Sequence, residues 1–414
     1  MKFSIILILS AAGLAHGQIH ADFAVSRGGV PLGTFRARLD HQKAPRTCAN
    51  FIGLASGARP WIDLATGSVK VNRPFYNGLT FHRLIHNFVI QGGSPNGLGT
   101  DGPGYVIQDE FHADLRHSGR YMLSMAKSAL PGSGGSQFFI TLAAAPNLND
   151  KHSVFGEVID GKELIDSFAD PVLFPTTNDR PQTPITMDSV VISGPDLAAF
   201  DLDDPALMLP AIGTTALVPS RNSAANQFTV TFDRGFQTEH LIHYSTDLIN
   251  WAYFRHIRSR EAAAGYRYTL SNVTFPKFFM RSARVDYGLV PNPSLDLFSA
   301  GKEFALSDRA GNTLTLIPNG AGGGTWRHSN GGSGTLTSLT TSDYVPATGV
   351  NFEFSGGGQL FPLLNLSAGF NTPAGPAAWN SLNLILSFHA PRSGWVDGSA
   401  NTNLPVLQSF SVTP

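Results

Sequence analysis

The chain has 414 residues and a formal net charge of −1. Such a balance gives no electrostatic case for binding nucleic acid or an anionic membrane. Charged residues make up only 14% of the chain, whereas it contains 43 glycines and 27 prolines. This composition is typical of turn-rich, mainly β proteins, and the length allows two or three domains.

The N-terminus has the pattern of an export signal. One basic residue, Lys2, precedes an apolar stretch from Phe3 to Leu14, and small residues follow at Ala15 and Gly17. The pattern predicts a signal peptide over residues 1–17 and an exported mature chain, either periplasmic or extracellular. An uncleaved anchor or a buried first helix is the alternative, although the apolar run is shorter than the ~20 residues that span a bilayer.

Residues 18–195 contain one clear amphipathic helix. In "APRTCANFIGLASG", Cys48, Phe51 and Ile52 share an apolar face, and Gly57 is expected to end the helix. Cys48 is the only cysteine of the chain, so no internal disulfide can form. Because the sequence shows no partner that would activate the thiol, we expect a buried apolar side chain.

The stretch "FHRLIHNFVIQGG", residues 81–93, alternates apolar with polar side chains. The alternation predicts a β-strand that ends in a glycine turn, with Arg83 and Gln91 on the same face. His82 and His86 lie in strand-like sequence without the glutamate of a zinc-protease motif. "PGSGGS" lacks the lysine of a phosphate-binding loop, and no G-x-S-x-G motif indicates a serine hydrolase.

Beyond residue 195 the composition changes. Residues 196–212 are acidic and contain proline, which predicts a linker. Short runs rich in Val, Thr, Phe and Tyr then predict a small β-sandwich over residues 213–287, similar to a fibronectin type III module. Residues 288–414 contain further strand-like runs between Gly, Ser and Asn turns. They predict a C-terminal β-rich domain of unknown role, a second β-sandwich being one option.

Aromatic residues stand out in these later blocks. In the sandwich, Trp251, Tyr253 and Phe254 are expected to pack in the core or at a strand edge. The last block has tryptophans among glycine-rich turns, which suits a glycan or a partner at the cell surface, or equally a spacer role; they are Trp326, Trp379 and Trp395. The sequence leaves this choice open.

Three blocks follow one another in the first segment: "GGVPLGTFRARLDHQKAPRTCANFIGLASG", "FYNGLTFHRLIHNFVIQGGSPNGLGTDGPGY" and "YMLSMAKSALPGSGGSQFFITLAAAPNLNDKHSVFGEVIDG". Their order resembles the cyclophilin family of peptidyl-prolyl cis-trans isomerases over about residues 20–193. The resemblance implies a mainly β fold, a closed eight-stranded antiparallel barrel capped by two helices. The second helix is expected within "DGKELIDSFAD".

The resemblance also implies the residues of the site. Arg83 is similar to the family arginine that donates to the prolyl nitrogen, and Gln91 and His152 complete the implied catalytic group. Gln91 is also expected to help fix Arg83. The implied substrate-binding residues are Phe88, Val89, Ala126, Lys127, Phe139 and Leu148.

The chain departs from the family pattern in three places. Asn147 stands where the best-known members have a tryptophan that contacts cyclosporin, which puts sensitivity to that inhibitor in doubt. Lys127 replaces a frequent asparagine and is expected to alter the substrate groove. The segment "ARPWIDLATGSVKVNRP" is longer than its counterpart in short cyclophilins and predicts a surface loop.

The chemistry of proline isomerisation explains why a single arginine donor can be enough for catalysis. Rotation about the X-Pro bond faces a barrier of ~18–20 kcal/mol but breaks no covalent bond, so it needs no nucleophile, metal or cofactor. A donor that binds the twisted amide better than either planar form lowers the barrier.

The sequence therefore predicts an exported prolyl isomerase that accelerates folding of other exported proteins, with proline-containing polypeptides as substrates. The alternative is a catalytically weak cyclophilin-like binding module within a cell-surface or adhesive protein. Because the predicted site ends at His152, before the linker, we expect catalysis to be independent of the C-terminal blocks.

Overall fold

The structure is a computed structural model that describes residues 18–129, 131–235, 238–259, 263–271, 277–288, 300–308, 312–343, 363–374, 379–390, 393–397 and 407–412. The predicted signal peptide lies outside the described residues. Within the described ranges, no helix has the length and apolar character needed to cross a membrane.

Residues 18–193 are built mainly from β-strands. The two α-helices described in this segment are α1 (Pro45–Ser56) and α2 (Lys162–Ser167), at the two positions predicted from the sequence. The strands are β1 (Ile19–Arg27), β2 (Val30–Leu39), β3 (Trp61–Asp63), β4 (Ser68–Lys70), β5 (Arg83–Ile85), β6 (Val89–Gly92), β7 (Met122–Met125), β8 (Phe138–Thr141), β9 (Val154–Asp160), β10 (Thr176–Thr177), β11 (Arg180–Pro181) and β12 (Ile185–Ser193).

Eight of these strands form one antiparallel sheet in the order β12-β1-β2-β9-β7-β8-β6-β5. Its two edges meet because the backbone just before β5 bonds to β12. The amide of Phe81 donates to Ile185 O over 2.8 Å, and the amide of Met187 donates to Leu79 O over 2.8 Å. The sheet is thereby closed into the predicted barrel, whose buried interior is dominated by stacked and edge-on phenylalanine rings.

Helix α1 covers one end of this barrel. It begins with a proline, and Gly57 ends it in the left-handed conformation at φ 80°, as the sequence predicted. The carboxylate of Glu110 accepts hydrogen bonds from the amides of Arg46 and Thr47 at the start of the helix. Cys48 is fully buried, and burial raises the pKa of its thiol well above the usual value, so this sulfur is packed and unreactive.

Residues 81–93 form a hairpin, so the single strand predicted from their alternation is wrong. Strands β5 and β6 pair in antiparallel fashion, and Asn87 turns the chain between them at φ 58°, a conformation that asparagine tolerates. Arg83 is paired directly with Gln91. The two side chains therefore do share a face, through cross-strand pairing rather than through spacing along one strand.

The longer segment before this hairpin is also more ordered than the surface loop expected from the sequence. Residues 61–70 form the antiparallel pair β3–β4. The side chain of Ile62, in the middle of β3, is completely buried. We call residues 61–70 the insertion hairpin. Its buried isoleucine makes it part of the barrel's core.

The next segment has the two-sheet architecture expected of a small β-sandwich. One sheet has the order β13-β19-β16-β17 and the other β14-β15-β18. The strands are β13 (Ala211–Thr214), β14 (Val218–Asn222), β15 (Gln227–Arg234), β16 (Thr238–Ser245), β17 (Ala252–Ser259), β18 (Ala263–Leu270) and β19 (Phe279–Asp286). Trp251 lies against the guanidinium of Arg281, 3.8 Å from the ring centre, and Tyr253 is 41% exposed.

The sandwich and residues 196–212 pack directly on the first barrel. The guanidinium of Arg46 is buried and donates to the carbonyl of Leu207 over 2.7 Å, and Phe200 and Leu209 pack on the barrel's core. Four sandwich residues belong to the same buried apolar cluster as the barrel; they are Leu241, Ala283, Val285 and Tyr287. The predicted linker is therefore docked, while the division into domains stays a prediction.

The last block forms a second closed barrel in place of the second sandwich that the sequence left open. Trp326 is 3% exposed within its leucine-rich core, so this ring cannot serve as a surface platform; the side chains of Trp379 and Trp395 lie outside the described residues. The strands are β20 (Phe304–Asp308), β21 (Thr313–Pro318), β22 (Gly324–His328), β23 (Ser333–Asp343), β24 (Leu363–Ala374), β25 (Trp379–Ala390), β26 (Ser393–Asp397) and β27 (Leu407–Val412).

Candidate active site

A cavity of about 420 Å³ opens on the outside of the first barrel. It lies where the β5–β6 hairpin, strand β8 and two long loops approach one another. All nine site residues implied by the sequence line it: Arg83, Phe88, Val89, Gln91, Ala126, Lys127, Phe139, Leu148 and His152. The structure therefore brings the whole set together in one groove, although their separation along the chain reaches 69 positions.

Arg83 lies at the edge of this groove with its side chain 43% exposed. One guanidinium nitrogen, Nη2, is 3.5 Å from Oδ2 of Asp179, which is itself 49% exposed. An ion pair this exposed contributes little stability and engages one of the several donors of the guanidinium. Arg83 thus combines a fixed position on a strand with donors that remain available to a ligand.

Gln91 connects the arginine strand to the opposite side of the groove. Its amide nitrogen donates to Oε1 of Gln137 over 3.0 Å, and the amide nitrogen of Gln137 donates to the carbonyl of Asp101 over 2.8 Å. Gln91 and Arg83 are paired across the hairpin, but the side-chain bond of Gln91 goes to Gln137, so its role in fixing Arg83 stays a prediction.

Four apolar residues form the floor of the groove beside Arg83: Phe88, Val89, Phe139 and Leu148. Phe139 is only 4% exposed. Its ring stacks on His117 at 5.8 Å and meets the ring of His152 edge-on at 5.4 Å. Two imidazoles therefore hold the phenylalanine in place, and we call the four residues the apolar floor.

Both of these histidines are neutral at physiological pH. Burial lowers the pKa of His117 to about 4 and also lowers the pKa of His152, since an imidazolium is costly to desolvate. Nδ1 of His152 donates to the carbonyl of Met125 over 3.0 Å. In the neutral ring, Nε2 is therefore left as a hydrogen-bond acceptor at the rim of the groove.

Lys127 does not place a free charge in the groove. Its ammonium lies 3.1 Å from Oδ2 of Asp109, and the two side chains are 6% and 8% exposed. The same carboxylate also accepts from the amide of Gly132 over 2.9 Å. The replacement of the family's frequent asparagine therefore introduces a buried ion pair, with the positive charge compensated.

The far side of the groove is a loop rather than a strand. Residues 99–105, which we call the glycine wall, all line the cavity. Gly99 and Gly104 have φ angles of 76° and 83°, which favour glycine. Tyr105 is the one aromatic residue of the wall and is 1% exposed.

Three residues that help build the site were not among those implied by the family resemblance. Gln137 could have been found from the sequence, because it lies two positions before Phe139, and residues two apart along a strand point to the same face. Asp109, the partner of Lys127, and Asp179, the partner of Arg83, had no such signal, since each meets its partner only through the folded chain. Asn147, at the position of the family tryptophan, is exposed.

Comparison with known proteins gives a consistent match to this part of the chain. Residues 21–192 match the family model described as "Cyclophilin type peptidyl-prolyl cis-trans isomerase/CLD". Peptidyl-prolyl cis-trans isomerase A of Mycobacterium tuberculosis is 44% identical over 161 residues, which are 39% of this chain and 87% of that protein. Peptidyl-prolyl cis-trans isomerase B of Streptomyces anulatus is 41% identical over 177 residues, or 42% and 97% of the two chains.

Among solved structures, a cyclophilin-type peptidyl-prolyl cis-trans isomerase of Cryptosporidium parvum is similar, with 27% identity and a TM-score of 0.35. The match covers 42% of this chain and 98% of the other. A second structure of that protein, determined in the presence of the dipeptide Ala-Pro, has 28% identity, the same TM-score and the same coverage.

Proposed function

The chain belongs to the cyclophilin-type peptidyl-prolyl cis-trans isomerases, and from this premise we propose how and where it acts. It isomerises X-Pro bonds by non-covalent stabilisation of the twisted amide, with Arg83 as the donor. Its substrates are proline-containing segments of other exported proteins, whose folding it accelerates.

One observation supports the proposed mechanism: the cationic donor Arg83 and the apolar floor line the same groove. The floor suits a proline ring, because its four side chains line this part of the cavity with apolar groups. Arg83 lies next to this floor with donors available. A bound prolyl amide nitrogen is thereby within reach of the guanidinium.

The chemistry follows from the electronic change on rotation. In the planar amide the nitrogen lone pair is delocalised into the carbonyl, whereas in the twisted state it is localised on nitrogen and can accept a hydrogen bond. The bond from Arg83 is therefore stronger in the transition state than in either planar form, which is the condition for catalysis. Gln91 and His152 hold the substrate backbone while the bond rotates.

A folding role fits the timescale of the uncatalysed reaction. X-Pro isomerisation takes tens to hundreds of seconds at 25 °C and limits the rate at which many chains fold. Since no bond is made or broken, the proposed mechanism uses only this chain's own residues.

The test is catalysis of cis-trans exchange in an Ala-Pro peptide, measured by NMR on the full chain without a coupling protease. The proposal expects exchange that scales with enzyme concentration and is lost in Arg83→Ala. If the exchange rate is the same in both proteins, Arg83 is not the donor.

Export forms a separate part of the proposal and has its own test. It rests on the charged, apolar and small-residue regions of residues 1–17. Expression in a bacterial host, followed by mass spectrometry of the product recovered outside the cytoplasm, should find Gln18 as the first residue. An intact N-terminus on a cytoplasmic product would contradict export.

The alternative function is a binding module in a surface protein. The docked sandwich and the second barrel favour it, because together they exceed the isomerase domain in length, and a glycan or cell-surface partner would then be their ligand. This alternative predicts that the chain binds proline peptides but accelerates their exchange only weakly.

A further inference from the structure

We propose that the β-sandwich positions the glycine wall, and that Tyr287 is the positioning residue through which it sets the affinity for extended peptides. The inference rests on the proposed function, because it takes the cavity to be the substrate groove. It keeps the expectation that catalysis of short peptides is independent of the C-terminal blocks and adds a role for the sandwich in binding longer peptides.

The glycine wall cannot hold its own shape. It contains no strand or helix, and three of its seven residues are glycine, the residue with the largest backbone freedom. Contacts from outside the wall must therefore fix it. A wall that is not fixed would lose conformational entropy on binding a peptide and so bind it less tightly.

The first contact runs from the sandwich to the end of the wall. The hydroxyl oxygen of Tyr287 accepts a hydrogen bond from the amide of Val106 over 3.3 Å, across 181 positions of sequence. Tyr287 is 4% exposed and Val106 is 2% exposed. Because water is excluded there, the amide would be left without this partner if the hydroxyl were removed.

The second contact runs through Arg59 at the end of α1. Its Nε donates to the hydroxyl of Tyr105 over 2.9 Å, and its guanidinium lies 5.0 Å from the centre of the same ring. The other arm of the guanidinium donates to the carbonyl of Pro210, just before the first strand of the sandwich. Arg59 thus links Tyr105 of the wall to the segment that leads into the sandwich.

The third contact uses the insertion hairpin. The amide of Ile62 donates to Pro103 O over 2.9 Å, and a methyl group added to Gly104 would lie 2.6 Å from Cβ of Ile62. At its other end, the hairpin is held by the sandwich, since Nε2 of His243 donates to Leu64 O over 2.9 Å. The guanidinium of Arg281 donates to the neighbouring carbonyl of Thr66.

These contacts converge on Pro103 to Val106 and leave the Arg83 side of the groove untouched. In this proposal an X-Pro dipeptide occupies the apolar floor alone, whereas a longer peptide that fills the groove also contacts the wall, because the floor and the wall line the same cavity. The sandwich should therefore affect binding of long peptides and leave both the chemical step and short peptides unchanged.

Tyr287→Phe in the full chain tests this, because it keeps the ring and removes only the hydroxyl. The matched control is Tyr268→Phe, which removes a hydroxyl that accepts from Arg255 within the same sandwich. The substrates are a blocked Ala-Pro dipeptide amide and a blocked hexapeptide with Ala-Pro at its centre. Their KM and kcat are measured by NMR exchange, together with hydrogen exchange at the Val106 amide.

For Tyr287→Phe we expect KM for the hexapeptide to rise about three- to tenfold, from the loss of one buried hydrogen bond. We expect kcat for both peptides and KM for the dipeptide to match the wild type, and faster hydrogen exchange at Val106. Tyr268→Phe should change none of these. A purely structural role of Tyr287 would change both peptides equally or neither, and either result overturns the inference.

The outcome also separates this inference from the proposed function. Suppose that the wild type is active and that Arg83→Ala is inactive. If Tyr287→Phe then has the same KM and kcat as the wild type for both peptides, only the positioning role fails. If the wild type does not catalyse exchange of either peptide, the proposed function fails and the positioning role with it.

Discussion

The two sides of the groove are built in different ways. Arg83, Gln91, Val89 and Phe139 lie on strands of one closed barrel, where hydrogen-bonded neighbours fix the backbone, and Leu148 lies on a short 3-10 helix. The glycine wall is a loop that Gln137 and Asn50 of the first barrel contact and that Arg59, the insertion hairpin and Tyr287 contact from the sandwich side. The Arg83 side is therefore held by the first barrel, whereas the wall also contacts residues of the β-sandwich.

Under the proposed function, the strand-built side of the groove performs the chemistry and the wall contributes to recognition of the peptide. A donor that must strengthen its bond in the transition state has to be held rigidly, which a sheet provides. A surface that contacts the rest of the peptide can be supported from elsewhere, because small shifts there change affinity and leave the barrier unchanged. The following predictions test where that boundary lies.

The largest effect is expected for Arg83→Ala. Loss of a charged donor that acts on the twisted amide should lower kcat/KM by about 10²–10³. The melting temperature should be unchanged, because the side chain is 43% exposed and its ion pair with Asp179 is long. Arg83→Lys, which keeps the charge but loses the planar fork, should recover only part of the rate. Near-normal kinetics in a folded Arg83→Ala protein would place the chemistry elsewhere.

Phe139→Ala tests whether the floor belongs to the catalytic side. The ring is 4% exposed, so its removal should destabilise the protein by about 3–5 kcal/mol and weaken binding of the dipeptide and the hexapeptide alike. Phe138→Ala is the matched control, because Phe138 is fully buried in the barrel core and does not line the cavity. Phe138→Ala should lower the free energy of unfolding, but the folded fraction of this variant should bind both peptides with the affinity of the wild type. Equal losses of affinity in the two variants would remove Phe139 from the site.

Lys127→Met should destabilise the chain by about 3 kcal/mol, at the lower end of the range for breaking a buried ion pair, because Asp109 keeps its bond from Gly132. Adding Asp109→Asn should restore much of the loss. The two unfolding free energies come from urea titrations. If Lys127→Met alone is neutral, the pair is solvated and Lys127 presents its charge to the groove.

The smallest effect concerns the imidazole that supports Phe139. The pKa of His117 is lowered to about 4 by burial, below the ordinary 6.5, so the unfolded chain binds the proton more tightly. The contribution of His117 to stability is therefore fully present above pH 6.5 and is lost as the pH falls, by about 2 kcal/mol between pH 7 and pH 5. His117→Gln should show a shallower fall than the wild type; part remains because burial also lowers the pKa of His82 to about 4. If the free energy of unfolding falls equally steeply with decreasing pH in both proteins, His117 is not a source of the pH dependence.

The sequence was informative wherever a local pattern determines structure. Helix α1 was predictable from its apolar face and Gly57, and the nine groove residues followed from motifs whose order marks the family. Alternation alone misread residues 81–93 as one strand, since a left-handed asparagine at position 87 can turn a chain without glycine or proline.

The supports of the wall could not be predicted in the same way. Tyr287 and Val106 are 181 positions apart. The apolar residues of the insertion hairpin are scattered among Asp, Gly, Ser, Thr and Lys without a strand period, and of these apolar residues only Ile62 is fully buried. Contacts of this kind depend on how two separately patterned segments dock. The way in which two segments dock cannot be predicted from the periodicity or the residue spacing within either segment.

The central claim is that Arg83 acts on the twisted amide and contributes little to binding the planar one. NMR measures both quantities in one sample of Arg83→Ala, the Kd from chemical-shift titration with the Ala-Pro dipeptide amide and the catalysed rate from exchange at saturation. The account predicts a Kd within about threefold of wild type and an exchange rate at saturation lower by about 10²–10³. A Kd that weakens by that same factor, with the saturated rate retained, would contradict it.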